Sequence, residues 1–165
     1  MRISIAAEIQ ALLVASVAGC GGGGGSTVAA STPAQKGGAA LARYVVDADE
    51  TCAEHNTEID REVAAFLAAH KGASQAATES AVVRKVLVPD LEREVRSVRA
   101  LVLPPADVHR ALSFLNAMLV PIRAAKERPA AFVHAAHPFA VPERMGKQFG
   151  FSVCGGFTLP SGLAS

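Results

Sequence analysis

From Leu41 onward the apolar positions of this chain recur every three or four residues. Tyr44, Ala48, Cys52, His55, Ile59, Val63, Phe66 and His70 fall on one face of a helix, while Asp47, Asp49, Glu50, Glu54, Glu58, Asp60 and Glu62 cover the remaining surface. Cys52 is therefore expected to point inward, and Gly72 to end the segment. Ser74 or Thr78 is placed to cap a second helix, with a stripe of Val83, Leu87, Leu91, Val95, Val98 and Val102 that stops at Pro104-Pro105. A third stripe, Val108, Leu112, Leu115, Leu119 and Ile122, runs until "KERP", and a poorer fourth helix covers Ala130 to Phe149. Gly150 suits a left-handed cap, with Phe151 folding back on the last turn. No alternating pattern of useful length predicts a strand. The expected fold is all-α: an up-and-down bundle of about four helices over residues 39–165, the last antiparallel to the first.

Prolines interrupt this regularity. Pro89 in "VLVPDL" and Pro121 in "MLVPIR" each sit inside a stripe, where each removes a backbone hydrogen bond and predicts a kink. Pro138 and Pro142 are more disruptive and are expected to split the last helix near "HPFAVP".

The first nineteen residues carry a different pattern. Arg2 is a positive start, Ala11 to Gly19 is apolar or small, and Glu8 and Gln10 keep the run short of the ~20 residues a membrane span needs. Residues 1–19 read as an export signal. Val17-Ala18-Gly19-Cys20 resembles the lipobox of bacterial lipoproteins, an aliphatic residue and two small ones before cysteine. The resemblance implies a diacylglycerol on the Cys20 thiol, cleavage before Cys20, and a lipid-anchored protein on the extracytoplasmic face of the cell membrane. "GGGGGSTVAASTPAQKGG", residues 21–38, has no large side chain to bury and reads as a flexible tether reaching roughly 20 to 25 Å.

Composition narrows the partners. A formal charge of +1 argues against nucleic acid. The charge is unevenly spread: Leu41 to Lys71 holds seven acids and three bases, Arg110 to Lys147 six bases and two acids. The expectation is that the first and last helices attract each other as neighbours. Of three cysteines, lipidation takes Cys20, leaving Cys52 and Cys154. Two thiols outside the cytoplasm usually pair, and closing a loop of ~100 residues stabilises by about 4 to 5 kcal/mol on the chain-entropy view. If Gly150 ends the last helix, residues 151–153 extend far enough for Cys154 to reach Cys52. The rival reading makes Cys52 a nucleophile with His55 one helical turn away.

The segments "RYVVDADETCAEHNTEI", "VLVPDLEREVRSVRALVLPPAD" and "GKQFGFSVCGG" occur here in that order. Together they resemble a group of small uncharacterised actinobacterial lipoproteins, with an early helical cysteine, a second helix ending in Pro-Pro, and a terminal "GF..CG". Cys52, Pro104, Pro105, Gly150, Phe151 and Cys154 carry the likeness. It implies that the two cysteines pair, and it implies no activity. Eleven Arg against five Lys also fits a GC-rich genome.

Signatures of catalysis are sparse. The chain has no His-Glu-x-x-His, no Ser-x-x-Lys and no phosphate-cradling glycine loop, and "GFSVC" lacks the closing glycine of a nucleophile elbow. No catalytic residue, cofactor or metal ligand is assigned. His134 with His137, and His55 with Glu58, have spacings that could serve a metal if they converged. One tyrosine and no tryptophan disfavour an aromatic sugar platform. The sequence thus points to a non-enzymatic, membrane-tethered helical domain for protein interaction or modulation of an envelope complex. The alternative is a carrier of a small ligand or metal.

Overall fold

A computed structural model describes residues 33–160 and 162–163. The export signal and Cys20 lie outside the described residues. Among those described, six α-helices and no strand occur: α1 (Pro33–Ala69), α2 (Gln75–Val82), α3 (Val88–Ala100), α4 (Val108–Glu127), α5 (Pro129–Val133) and α6 (Ala140–Phe149), with a π turn (Val83–Leu87) joining α2 to α3. The chain is an all-α, up-and-down bundle closed by one disulfide.

α1 begins earlier than its apolar stripe suggests. Residues 33–38, read from the sequence as the end of the tether, form its first turns. Pro33 supplies a φ already suited to the first helical position, and Ala34, Gln35 and Lys36 are good helix formers. The helix then follows its expected face: Tyr44, Ala48, Cys52, Ile59 and Val63 are buried, and Asp47, Glu50, Glu54 and Asp60 are exposed. Gly72, at φ +99°, supplies the left-handed residue that turns the chain.

The kink expected at Pro89 takes the form of the π turn just before it. The proline ring would meet the carbonyl of residue 85, and widening that turn relieves the crowding. Pro121 by contrast stays within an uninterrupted α4. The buried face of α4 is Ala111, Phe114, Leu115, Met118, Pro121, Ile122 and Ala125. Leu112, assigned to the stripe from sequence, is exposed, because α4 is apolar nearly all round and the aromatic face wins the core. Val102 is likewise exposed, lying beyond the end of α3.

Packing follows short connections. α3 lies against both α1 and α4, and α4 against α5 and α6, while α2 meets α5. The fourth helix expected from sequence is split into α5 and α6, with residues 134–139 between them. α6 ends in a Schellman motif: Gly150 has φ +108°, its N–H donates to the Lys147 carbonyl at 3.2 Å, and the Phe151 N–H donates to the Gly146 carbonyl at 3.0 Å. Phe151 folds back as expected and joins a ring cluster, 4.9 Å from both Phe114 and Phe149 and 6.0 Å from Tyr44.

Part of α1 is covered by the tail after α6. Ser152 to Cys154 meet Asp49 and Cys52, Leu159 and Pro160 share a recess with Asp60 and Ala64, and Gly162 approaches Leu67. Leu163 is fully buried at the end of this path.

Candidate functional site

An apolar recess lies between α4, α5 and α6. Ala117, Val120, Pro121 and Ala124 stand at i, i+3, i+4 and i+7 and present one face of α4 to it. The opposite wall comes from Phe132 on α5 and from Pro138, Val141 and Pro142 around the start of α6. The recess has a volume of about 390 Å³, within the ~300 to 1,000 Å³ usual for small-molecule sites. Val120 and Val141, 58 % and 50 % exposed, stand at its edge.

The wall is apolar for a backbone reason as well as a side-chain one. Pro121, Pro138 and Pro142 carry no N–H, so three backbone donors are missing from its lining. The prolines that divide the last helix therefore also make the recess. Arg128 is its one charged lining residue. The backbone there is fixed at the joint of α4 and α5: its N–H donates to the Ala124 carbonyl at 2.9 Å, and its carbonyl accepts from Phe132 at 3.0 Å.

A second polar arrangement lies between α1 and α3. Glu62 lies in the field of the Asp90 and Glu58 carboxyls. Burial first, and then the Asp90 charge, push the Glu62 carboxyl above its ordinary value. Hydrogen bonding to Arg61 instead lowers Glu58. Asp90 is buried and pairs with Arg93 at 2.6 Å through Oδ1, while its Oδ2 has no partner. One turn further along α3, Glu94 is buried, and desolvation pushes its carboxyl up to about 7.

The two cysteines singled out by sequence are joined: Cys52 and Cys154 form a disulfide with Cα atoms 5.4 Å apart. Cys52 accordingly has no free thiol, which removes the nucleophile reading. His55 bonds Ser97 at 3.1 Å, and its pKa is lowered by burial and then by the Arg93 charge. Glu58 is engaged by Arg61. His134 lies 3.8 Å from the buried Glu79, which also accepts from Gln75 at 2.9 Å. His137 is exposed. Among the described residues, no group of three or more His, Cys, Asp or Glu side chains is placed to hold a metal.

Sequence reasoning missed the carboxylate of Asp49. Its Oδ2 accepts from the Ser152 N–H and hydroxyl, both at 2.7 Å, and its Oδ1 from the N–H groups of Val153 at 3.0 Å and Cys154 at 2.8 Å. Burial raises the Asp49 carboxyl, but these donations outweigh it and hold it below its ordinary value. The expected attraction between the acidic first helix and the basic last helix is not found among the described residues, because the α1 acid that does reach the C-terminal part is held by backbone N–H groups and a hydroxyl rather than by a base. The ion pairs Arg61–Glu58, Arg110–Asp107 and Lys147–Glu143 are local, and among the described residues none joins an α1 acid to a base of residues 110–147.

Comparison with protein-family models, curated proteins and solved structures returns no match for this chain.

Proposed function

We propose that this chain is a lipid-anchored, extracytoplasmic lipoprotein whose helical domain is a non-enzymatic carrier of a small apolar ligand. The observation that carries the reading is the recess bounded by α4, α5 and α6, with ten apolar lining residues and Arg128. Of the two expectations, interaction with an envelope protein and small-ligand carriage, the recess favours carriage. A docking face for a protein would present a contiguous apolar patch. Among the described residues the large exposed apolar side chains are Val46, Val102, Leu112, Val120 and Val141, of which Val120 and Val141 both line the recess.

Anchoring rests on the likeness of Val17-Ala18-Gly19-Cys20 to a lipobox, and the likeness to actinobacterial lipoproteins supports it. No described helix is long and apolar enough to cross a membrane. The Cys20→Ala chain should leave the membrane fraction or persist as an unprocessed precursor. Unchanged mass and attachment would end the lipoprotein reading. For carriage, the full chain isolated from its membranes should yield a stoichiometric small apolar molecule on solvent extraction. Val120→Asp, at an exposed edge position, should lose it. Extracts from both proteins without such a molecule would end the carrier reading.

A further inference from the structure

The cation at the recess has no partner among the described residues. The Arg128 guanidinium has no hydrogen bond or ion pair among the described residues, as is also true of Arg43, Arg84, Arg96 and Arg144, and it alone of these five lines the recess. It stands where α4 gives way to α5, at one end of the face formed by Ala117, Val120, Pro121 and Ala124. The recess thus has a polarity along its length: hydrocarbon through most of it, and a positive charge at one end.

We infer that the recess binds a long-chain amphiphile with a carboxylate head, its tail against Pro121, Phe132 and Pro142 and its head on Arg128. This rests on the carrier reading above. The tail assignment follows from desolvation. A polar group midway along the ligand would lose its water and meet no donor on the walls supplied by Pro121, Pro138 and Pro142. A hydrogen-bond acceptor on the ligand is therefore best placed at an end. The head assignment follows from charge: the planar fork of a guanidinium matches a carboxylate in two parallel hydrogen bonds, and a neutral hydroxyl makes only one, without the charge. Val120 and Val141 at the open edge give the tail its way in from a membrane surface.

The experiment uses the full chain in phosphatidylcholine vesicles and two photoreactive probes, a C16 carboxylic acid and the matching C16 alcohol, each with a diazirine near the chain end. The acid is expected to label peptides spanning residues 117–142 about fivefold more than the alcohol, the factor an exposed ion pair of ~1 kcal/mol provides. Arg128→Gln should bring the acid down to the level of the alcohol, and Val120→Asp should abolish labelling by both while helical circular dichroism is unchanged. Equal labelling by acid and alcohol, indifferent to Arg128→Gln, would overturn the carboxylate head and leave the carrier reading standing. Label outside residues 117–142, or label in the recess that excess palmitate does not displace, would overturn both.

Discussion

Asp49 and Cys154 are 105 positions apart in the chain, and the carboxylate of the first holds the backbone N–H of the second at 2.8 Å. Asp49 precedes Cys52 by one helical turn, so a single stretch of α1 fastens the tail twice, by charge-assisted hydrogen bonds and by a covalent bond.

The Asp49 attachment gives a dependence on acid. Its carboxyl is held below the ordinary 3.8, so the stability it contributes is present above that pH and lost as pH falls through the lower, folded-state value. Asp49→Asn should cost on the order of 1 to 2 kcal/mol at pH 7, discounted for partial exposure, and should flatten the acid limb of the unfolding curve. Denaturant titrations between pH 2 and 7 check both. A variant with the wild-type acid limb would contradict the role given to Asp49.

Breaking the covalent attachment should be more costly. The chain-entropy estimate for a loop of this length is about 4 to 5 kcal/mol and is an upper figure. Reduction, or Cys52→Ser, should lower the melting temperature by several degrees or more while leaving most helical circular dichroism. Hydrogen exchange should quicken first in residues 150–163. Uniform exchange throughout the bundle, or unchanged melting, would show that the bond does not staple the tail.

Glu94 gives an opposite dependence. Its folded-state value near 7 stands above the ordinary 4.5, so its contribution is fully present below about 4.5 and is lost as pH rises through about 7. Glu94→Gln should stabilise the chain at pH 8, by an amount of order 1 to 3 kcal/mol, and change little at pH 4.5. Thermal melts at the two pH values decide it, and equal effects at both would refute the assignment.

Two glycines with positive φ separate strain from crowding. Gly72 has open space around it, and Gly72→Ala should cost only about 1 kcal/mol, for its backbone conformation. At Gly155 a Cβ would stand 2.9 Å from both the Phe114 ring and the Pro142 carbonyl oxygen. Gly155→Ala should cost clearly more, about 2 kcal/mol or above, and should shift the tail. Equal melting temperatures would show that the tail yields without penalty.

The helical architecture and the disulfide were legible in the sequence because α1 sets large apolar side chains against acids and leaves two cysteines without another use. The face of α4 was not, since "ALSFLNAMLVPIRAA" is apolar nearly all round and offers the helical period little contrast. The recess was hidden for a related reason. Ala117, Pro121 and Ala124 are small or irregular, and they become a wall only when Phe132 and Pro142 are brought opposite. Asp49 stood in a run of acids that all read as solvated until a tail far along the chain supplied its donors. Glu94, within "DLEREVRS", has the local composition of a surface, and only packing on α3 buries it.

The position of the disulfide also decides how the domain would bear tension. A pull applied between the start of α1 and the tail would run along α1 to Cys52 and cross directly to Cys154. Residues 53–153 lie inside the covalent loop and off that path, and among them are Arg128 and the rest of the recess lining. The domain could be dragged by its amino-terminal end without the recess being stretched.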